Sequence, residues 1–99
     1  MRRATIKSPA HPGALLKDEF DALGLSMAAA AEALGVTRQQ LYKVTSGASA
    51  VTPEMAVRIE RAIGGSADLW LRMQAAFDLA RARRTVDLRG VKRIAREAA

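Results

Sequence analysis

A chain of 99 residues with no cysteine is one domain with a modest core, and it excludes a disulfide frame or a thiolate metal site. With 49% hydrophobic residues it should fold, yet no apolar run approaches the ~18 residues of a membrane span, and no signal peptide is expected ahead of the fold. The formal charge of +6 sits mostly at one end, since residues 81–99 hold seven Lys/Arg and two Asp/Glu, against nine and eight in residues 1–80. The basicity therefore points to a polyanionic partner without locating the face that meets it.

Phe20, Tyr42, Trp70 and Phe77 are the only aromatics, while Ala and Leu abound, which favours an all-α fold; with no span or signal peptide, a soluble, cytoplasmic protein with no membrane partner is expected. Residues 1–10 carry Arg2, Arg3 and Lys7 without periodicity and are expected to form a loose arm, either an unstructured leader or a phosphate-contacting extension. A first helix is predicted from His11-Pro12, because proline suits the opening turn, with Leu16, Phe20 and Leu23 buried and Gly24 as terminator. His11, the single histidine, has no second ligand or nucleophile patterned with it and is expected at a helix boundary.

Ser26 is expected to cap a second helix that closes at Leu34-Gly35, and its run Ala28 to Ala31 allows another helix to approach closely. Thr37 caps the third, with Gln40 completing a capping box. Two residues between the helices fit a helix-turn-helix crossing. At 100° per residue Leu41 and Val44 face inward, while Gln39, Tyr42, Lys43 and Ser46 form an outward row with Arg38 beside it. Gln suits a bidentate pair with adenine, and Arg or Lys suits guanine or phosphate. An ordinary solvated face carries Lys and Gln too, so these residue types alone leave both readings open.

After a small-residue loop from Ser46 to Val51, Thr52 caps a fourth helix that opens on Pro53 and stops at Gly64-Gly65. Met55, Ala56, Ile59 and Ile63 form its core face, with Arg58, Glu60 and Arg61 in solvent. Ser66 caps a fifth helix reaching about Arg83. One apolar face holds Leu69, Trp70, Met73, Ala76, Phe77 and Ala80, and a second holds Leu71, Ala75 and Leu79. A plain core helix is one reading, but two such faces in a chain this short favour a partner, and Trp70, Met73 and Phe77 are the expected homodimer contacts. In the basic tail, residues 85–99, Val86, Leu88, Val91, Ile94 and Ala95 recur as if to dock; a short helix from about Val91 is one reading, a solvated and partly frayed segment another, with phosphate or protein contact as the alternative. The domain proper spans residues 11–84.

The spacing of Ala30, Ala31, Leu34, Gly35, Val36, Leu41 and Val44 resembles the helix-turn-helix of lambda-repressor-like regulators. It departs from that pattern at Met27, where many members carry a phosphate-contacting Gln. His11-Pro12-Gly13 and the string from Trp70 to Leu79 are similar to the HigA-type addiction-module antitoxins, over roughly Pro9 to Arg81. The loop Ala48-Ser49-Ala50 lacks the basic residue common in that family.

The resemblance implies a five-helix fold, a homodimer and operator DNA read by Thr37, Arg38, Gln39 and Lys43, with the outward row adding Tyr42 and Ser46. It also implies a small mRNA-cleaving toxin as second partner and repression of the shared operon. The alternative is a stand-alone transcriptional regulator with no toxin, which would share every DNA-facing residue. One histidine, no cysteine and no paired carboxylates assemble no nucleophile with a base, so neither an enzyme nor a cofactor is expected.

Overall fold

The computed structural model describes residues 9–96, and the expected contacts of Arg2, Arg3 and Lys7 lie outside them. Five helices follow in order, α1 (Pro12–Ala22), α2 (Met27–Leu34), α3 (Arg38–Thr45), α4 (Pro53–Ile63) and α5 (Ala67–Thr85), with no strand among the described residues. The starts are set by local chemistry. Ser26, Thr37, Thr52 and Ser66 each accept a hydrogen bond from the backbone N–H three residues on, satisfying one of the donors that a helix start leaves unpaired. His11 caps α1 with its ring, Nδ1 accepting from the Gly13 N–H at 2.9 Å. The boundary role expected of this histidine is thus a capping role.

Leu16 and Phe20 of α1, Ala30, Ala31 and Leu34 of α2, Leu41 and Val44 of α3, and Met55, Ala56 and Ile59 of α4 share one core. Val51 and Trp70 complete it. The alanines let α2 lie close to its neighbours, and the larger side chains fill the centre, as close-packed interiors require.

Two expectations, one in α1 and one in α4, differ from the structure. Leu23 is 56% exposed, because the chain leaves the helix there and turns at Gly24, whose φ is +70°. Arg58 leaves solvent to bind backbone carbonyls, as described below. Of the readings open for the tail, the helix is not formed and the solvated segment is: residues 86–96 carry no helix, since a short segment that packs on nothing in its own protomer is a poor nucleus. The tail instead leaves α5 in an extended conformation at Val86, with φ −75° and ψ 132°.

Candidate nucleic-acid interface

Helix α3 is amphipathic in the expected register. Leu41 and Val44 are buried, whereas Arg38, Gln39, Tyr42, Lys43 and Ser46 are exposed. At ~1.5 Å per residue the row from Gln39 to Ser46 is ~10 Å long, so the helix presents about two turns of polar side chains to whatever lies across it. Thr37 and Gln40 form the capping box, the Gln40 N–H donating to Thr37 Oγ1 at 3.0 Å and the Thr37 N–H to Gln40 Oε1 at 2.9 Å. The Thr37 hydroxyl also donates to Gln40 Oε1 at 3.1 Å, so this side chain mainly fixes the helix start. At the other end Ser46 Oγ donates to the Lys43 carbonyl at 3.2 Å. The row is therefore framed by two capping hydroxyls, with Arg38, Gln39, Tyr42 and Lys43 outside the cap bonds.

What holds this row in place comes from three other helices. Gly13 of α1 backs directly onto the carbonyl of Val44, and a Cβ at position 13 would collide with that oxygen. Gly47, at φ +86°, lies under the His11 ring. Arg58 of α4 reaches the turn before α3, its Nη1 donating to the Leu34 carbonyl at 2.9 Å and the Gly35 carbonyl at 3.3 Å. Its Nε and Nη2 donate to Glu54 Oε2 at 3.1 and 2.9 Å, which orients the guanidinium. Gly35 has φ +73°, and an added Cβ would come within 2.8 Å of Arg58 Nη1. Both the backbone conformation and the bound arginine thus call for glycine.

The loop after α3 is held by α5. The Val51 N–H donates to Gln74 Oε1 at 2.7 Å, and Gln74 Nε2 donates to Asp78 Oδ1 at 3.0 Å. Gln74 is 6% exposed, and both ends of its amide are satisfied, as burial demands.

Sequence reasoning missed Gly13, Arg58 and Gln74 as parts of this scaffold. A glycine just inside a helix start and a lone glutamine between Trp70 and Phe77 on an apolar face were readable signals of close approach and of a buried hydrogen bond. Arg58 gave a weaker one, its i,i+4 spacing from Glu54. Of the expected dimer contacts, Trp70 belongs to the protomer's own core, with 5% exposure. Phe77 is half-buried, its ring 5.0 Å from that of His11 at an interplanar angle of 75°, with the Arg81 guanidinium 5.0 Å from its centroid. Met73 is half-buried at the edge of the α1–α5 groove.

The helix-turn-helix family matches residues 16–70. The Virulence-associated protein A′ of Dichelobacter nodosus is 39% identical over 75 residues, covering 75% of this chain and 65% of that protein, and so somewhat less than two thirds of its length. Antitoxin HigA-1 of Vibrio cholerae is 35% identical over 78 residues, covering 78% of this chain and 73% of the relative. Among solved structures, Pseudomonas aeruginosa antitoxin HigA with the higBA promoter superposes with a TM-score of 0.73 at 32% identity, covering 77% of this chain and 84% of that one. The chain belongs to the helix-turn-helix family, among its HigA-type antidote proteins.

Proposed function

We propose that this protein is the antitoxin of a toxin–antitoxin module, which represses its own operon as a homodimer and neutralises a small mRNA-cleaving toxin. The observation that carries the DNA half of the reading is the exposed row Arg38, Gln39, Tyr42 and Lys43 on a helix held from behind by Gly13 and Arg58. A major groove ~12 Å wide accepts a helix with such a face. Gln39, at the N-terminal end of the row, suits a base edge, Lys43 and Arg38 suit guanine or phosphate, and Tyr42 suits phosphate or a thymine methyl. Thr37 and Ser46 bring their helix ends to the sugar–phosphate backbone. A two-fold dimer sets two such helices on half-sites about one turn apart, ~34 Å, and occludes the promoter. The relative solved with its promoter supports this half, and the relative named HigA-1 supports the antitoxin half.

The protein acts in this account by binding, in the cytoplasm, and needs no cofactor. Co-expression with the product of the neighbouring gene tests the whole reading. Rescue of growth together with a co-purifying complex is the expected result. DNA binding without rescue or complex would leave a regulator without a toxin.

A further inference from the structure

The tail beyond α5 is locally ordered, yet its apolar side chains are uncovered. Val86, Leu88, Val91 and Ile94 are between 54% and 81% exposed. The Val91 N–H donates to the Leu88 carbonyl at 2.9 Å, closing a turn through Arg89-Gly90 that sets Leu88 and Val91 side by side. The Asp87 carboxylate accepts from the Arg89 N–H and from its Nε and Nη2, each at 3.0 Å. These bonds, the side-chain ones foremost, hold the Asp87 carboxyl below its ordinary range. The result is a hook that carries the exposed Val86, Leu88 and Val91, followed in the chain by Lys92 and Arg93.

The matching vacancy is a groove between the start of α1 and the first half of α5. Its main part, about 410 Å³, is lined by Pro9, His11, Pro12, Leu15, Met73 and Ala76 among others. Through Leu15 and Met73 it continues into a hollow of about 200 Å³ bordered by Leu69, Ile63 and the carboxylate-bearing Glu19. Leu15 and Leu69, at 41% and 46% exposure, are the large apolar side chains left open along it. Apolar hook and apolar groove are thus both uncovered in one protomer, and the acidic Glu19 on the groove complements Lys92 and Arg93 of the tail, Arg89 being paired with Asp87.

Geometry selects the source of the hook. The groove ends at Ala76 of α5, and the tail begins only after Thr85, ~13 Å farther along the helix axis. The tail leaves in an extended conformation, so nothing returns it at once to its own groove. A two-fold axis crossing α5, by contrast, sets two copies of the helix antiparallel. The C-terminal end of one then lies beside the first half of the other, where the groove is.

We infer that the homodimer is closed by exchange of tails, the Val86–Val91 hook of each protomer seating in the α1–α5 groove of a second copy. This rests on the homodimer within the functional reading above, and its test needs neither DNA nor toxin. The absence of native cysteine makes disulfide trapping clean. An affinity-tagged Leu15→Cys chain is mixed and re-equilibrated with an untagged Val91→Cys chain, oxidised, and run on a non-reducing gel. A double variant carrying both substitutions is oxidised in parallel.

Tail exchange is expected to give a covalent tagged–untagged heterodimer, and the double variant to run at twice its monomer mass. A double variant that loses its thiols yet runs as a monomer would show the hook in its own groove and overturn the inference. Thiols that stay free in a protein dimeric by light scattering would overturn it as well, as would a wild-type protein that remains monomeric. As a second measurement, Leu88→Glu with Val91→Glu, both on exposed positions outside the core, is expected to weaken self-association at least about tenfold by sedimentation with the helical circular dichroism intact. Unchanged association would count against the exchange.

Discussion

Gly13 and Val44 lie in backbone contact, the first turn of α1 packed against the carbonyl near the end of α3 so closely that no Cβ fits between them. The His-Pro-Gly segment therefore works inside the protomer: His11 caps, Pro12 opens the helix, and Gly13 lets α1 seat the reading helix. Gly13→Ala must push α3 or α1 outward. Such overpacking costs ~1–3 kcal/mol, which at ~4–8 °C per kcal/mol for a domain of this size is a melting shift visible by circular dichroism. DNA affinity should fall with it. An unshifted melt would mean that the contact is slack.

Gln74 tests the link between α5 and the loop that follows α3. Gln74→Leu keeps the volume but leaves the Val51 N–H without its acceptor, at ~1–3 kcal/mol for a buried unsatisfied donor. Urea denaturation should show a lower midpoint with an unchanged slope. A midpoint equal to wild type would mean that water replaces the amide.

Arg58→Met removes the donor to the Leu34 and Gly35 carbonyls. Because the side chain is partly exposed, water offsets part of the loss, and ~1 kcal/mol is expected. Amide exchange should quicken at the α2–α3 turn more than in α5. Uniform exchange across both would deny Arg58 its role at the turn.

Gln39 and Lys43 should fail in different ways. Gln39→Ala is expected to narrow the gap between operator and random duplex by ~1–3 kcal/mol while leaving the salt dependence alone. Lys43→Ala, if it meets phosphate, should weaken both duplexes and lower the salt slope by ~0.9. Titrations by fluorescence anisotropy at several salt concentrations separate the two. The reverse pattern would exchange their roles.

Trp70 carries a warning for tests of assembly. Its ring fills the protomer core, so Trp70→Ala should cost ~3–5 kcal/mol of fold stability, and a lost dimer in that variant would report unfolding. A thermal melt near wild type would contradict that placement. Variants at Leu88 and Val91, on the surface, avoid the ambiguity.

Much of this architecture was legible in the residues. Ser26, Thr37, Thr52 and Ser66 announced their helices because an N-cap is a local interaction, and the 3.6-residue period of Leu41 and Val44 fixed which side of α3 faces out. What stayed hidden was long-range. Arg58 reads as a surface charge until Leu34 and Gly35 are brought to it, twenty-four and twenty-three residues apart in the chain. Trp70 reads equally well as core or interface, because periodicity gives a face and says nothing of what covers it. Leu23 fits the stripe of α1 by spacing, but the helix ends beneath it. The tail's apolar residues left a helix and a solvated segment both open, because their rough helical spacing says nothing of what they pack on.

A helix whose outer face reads sequence must tell its operator from other DNA. The most direct measurement is the binding of this protein to the DNA upstream of its own gene and to a scrambled duplex of equal length, at physiological salt, for wild type and for Gln39→Ala with Lys43→Ala. The wild type should prefer the upstream DNA by ~10³-fold or more, and the double variant should lose most of that preference while melting like wild type. Equal affinity of the wild type for both duplexes, or an undiminished preference in the double variant, would contradict the claim.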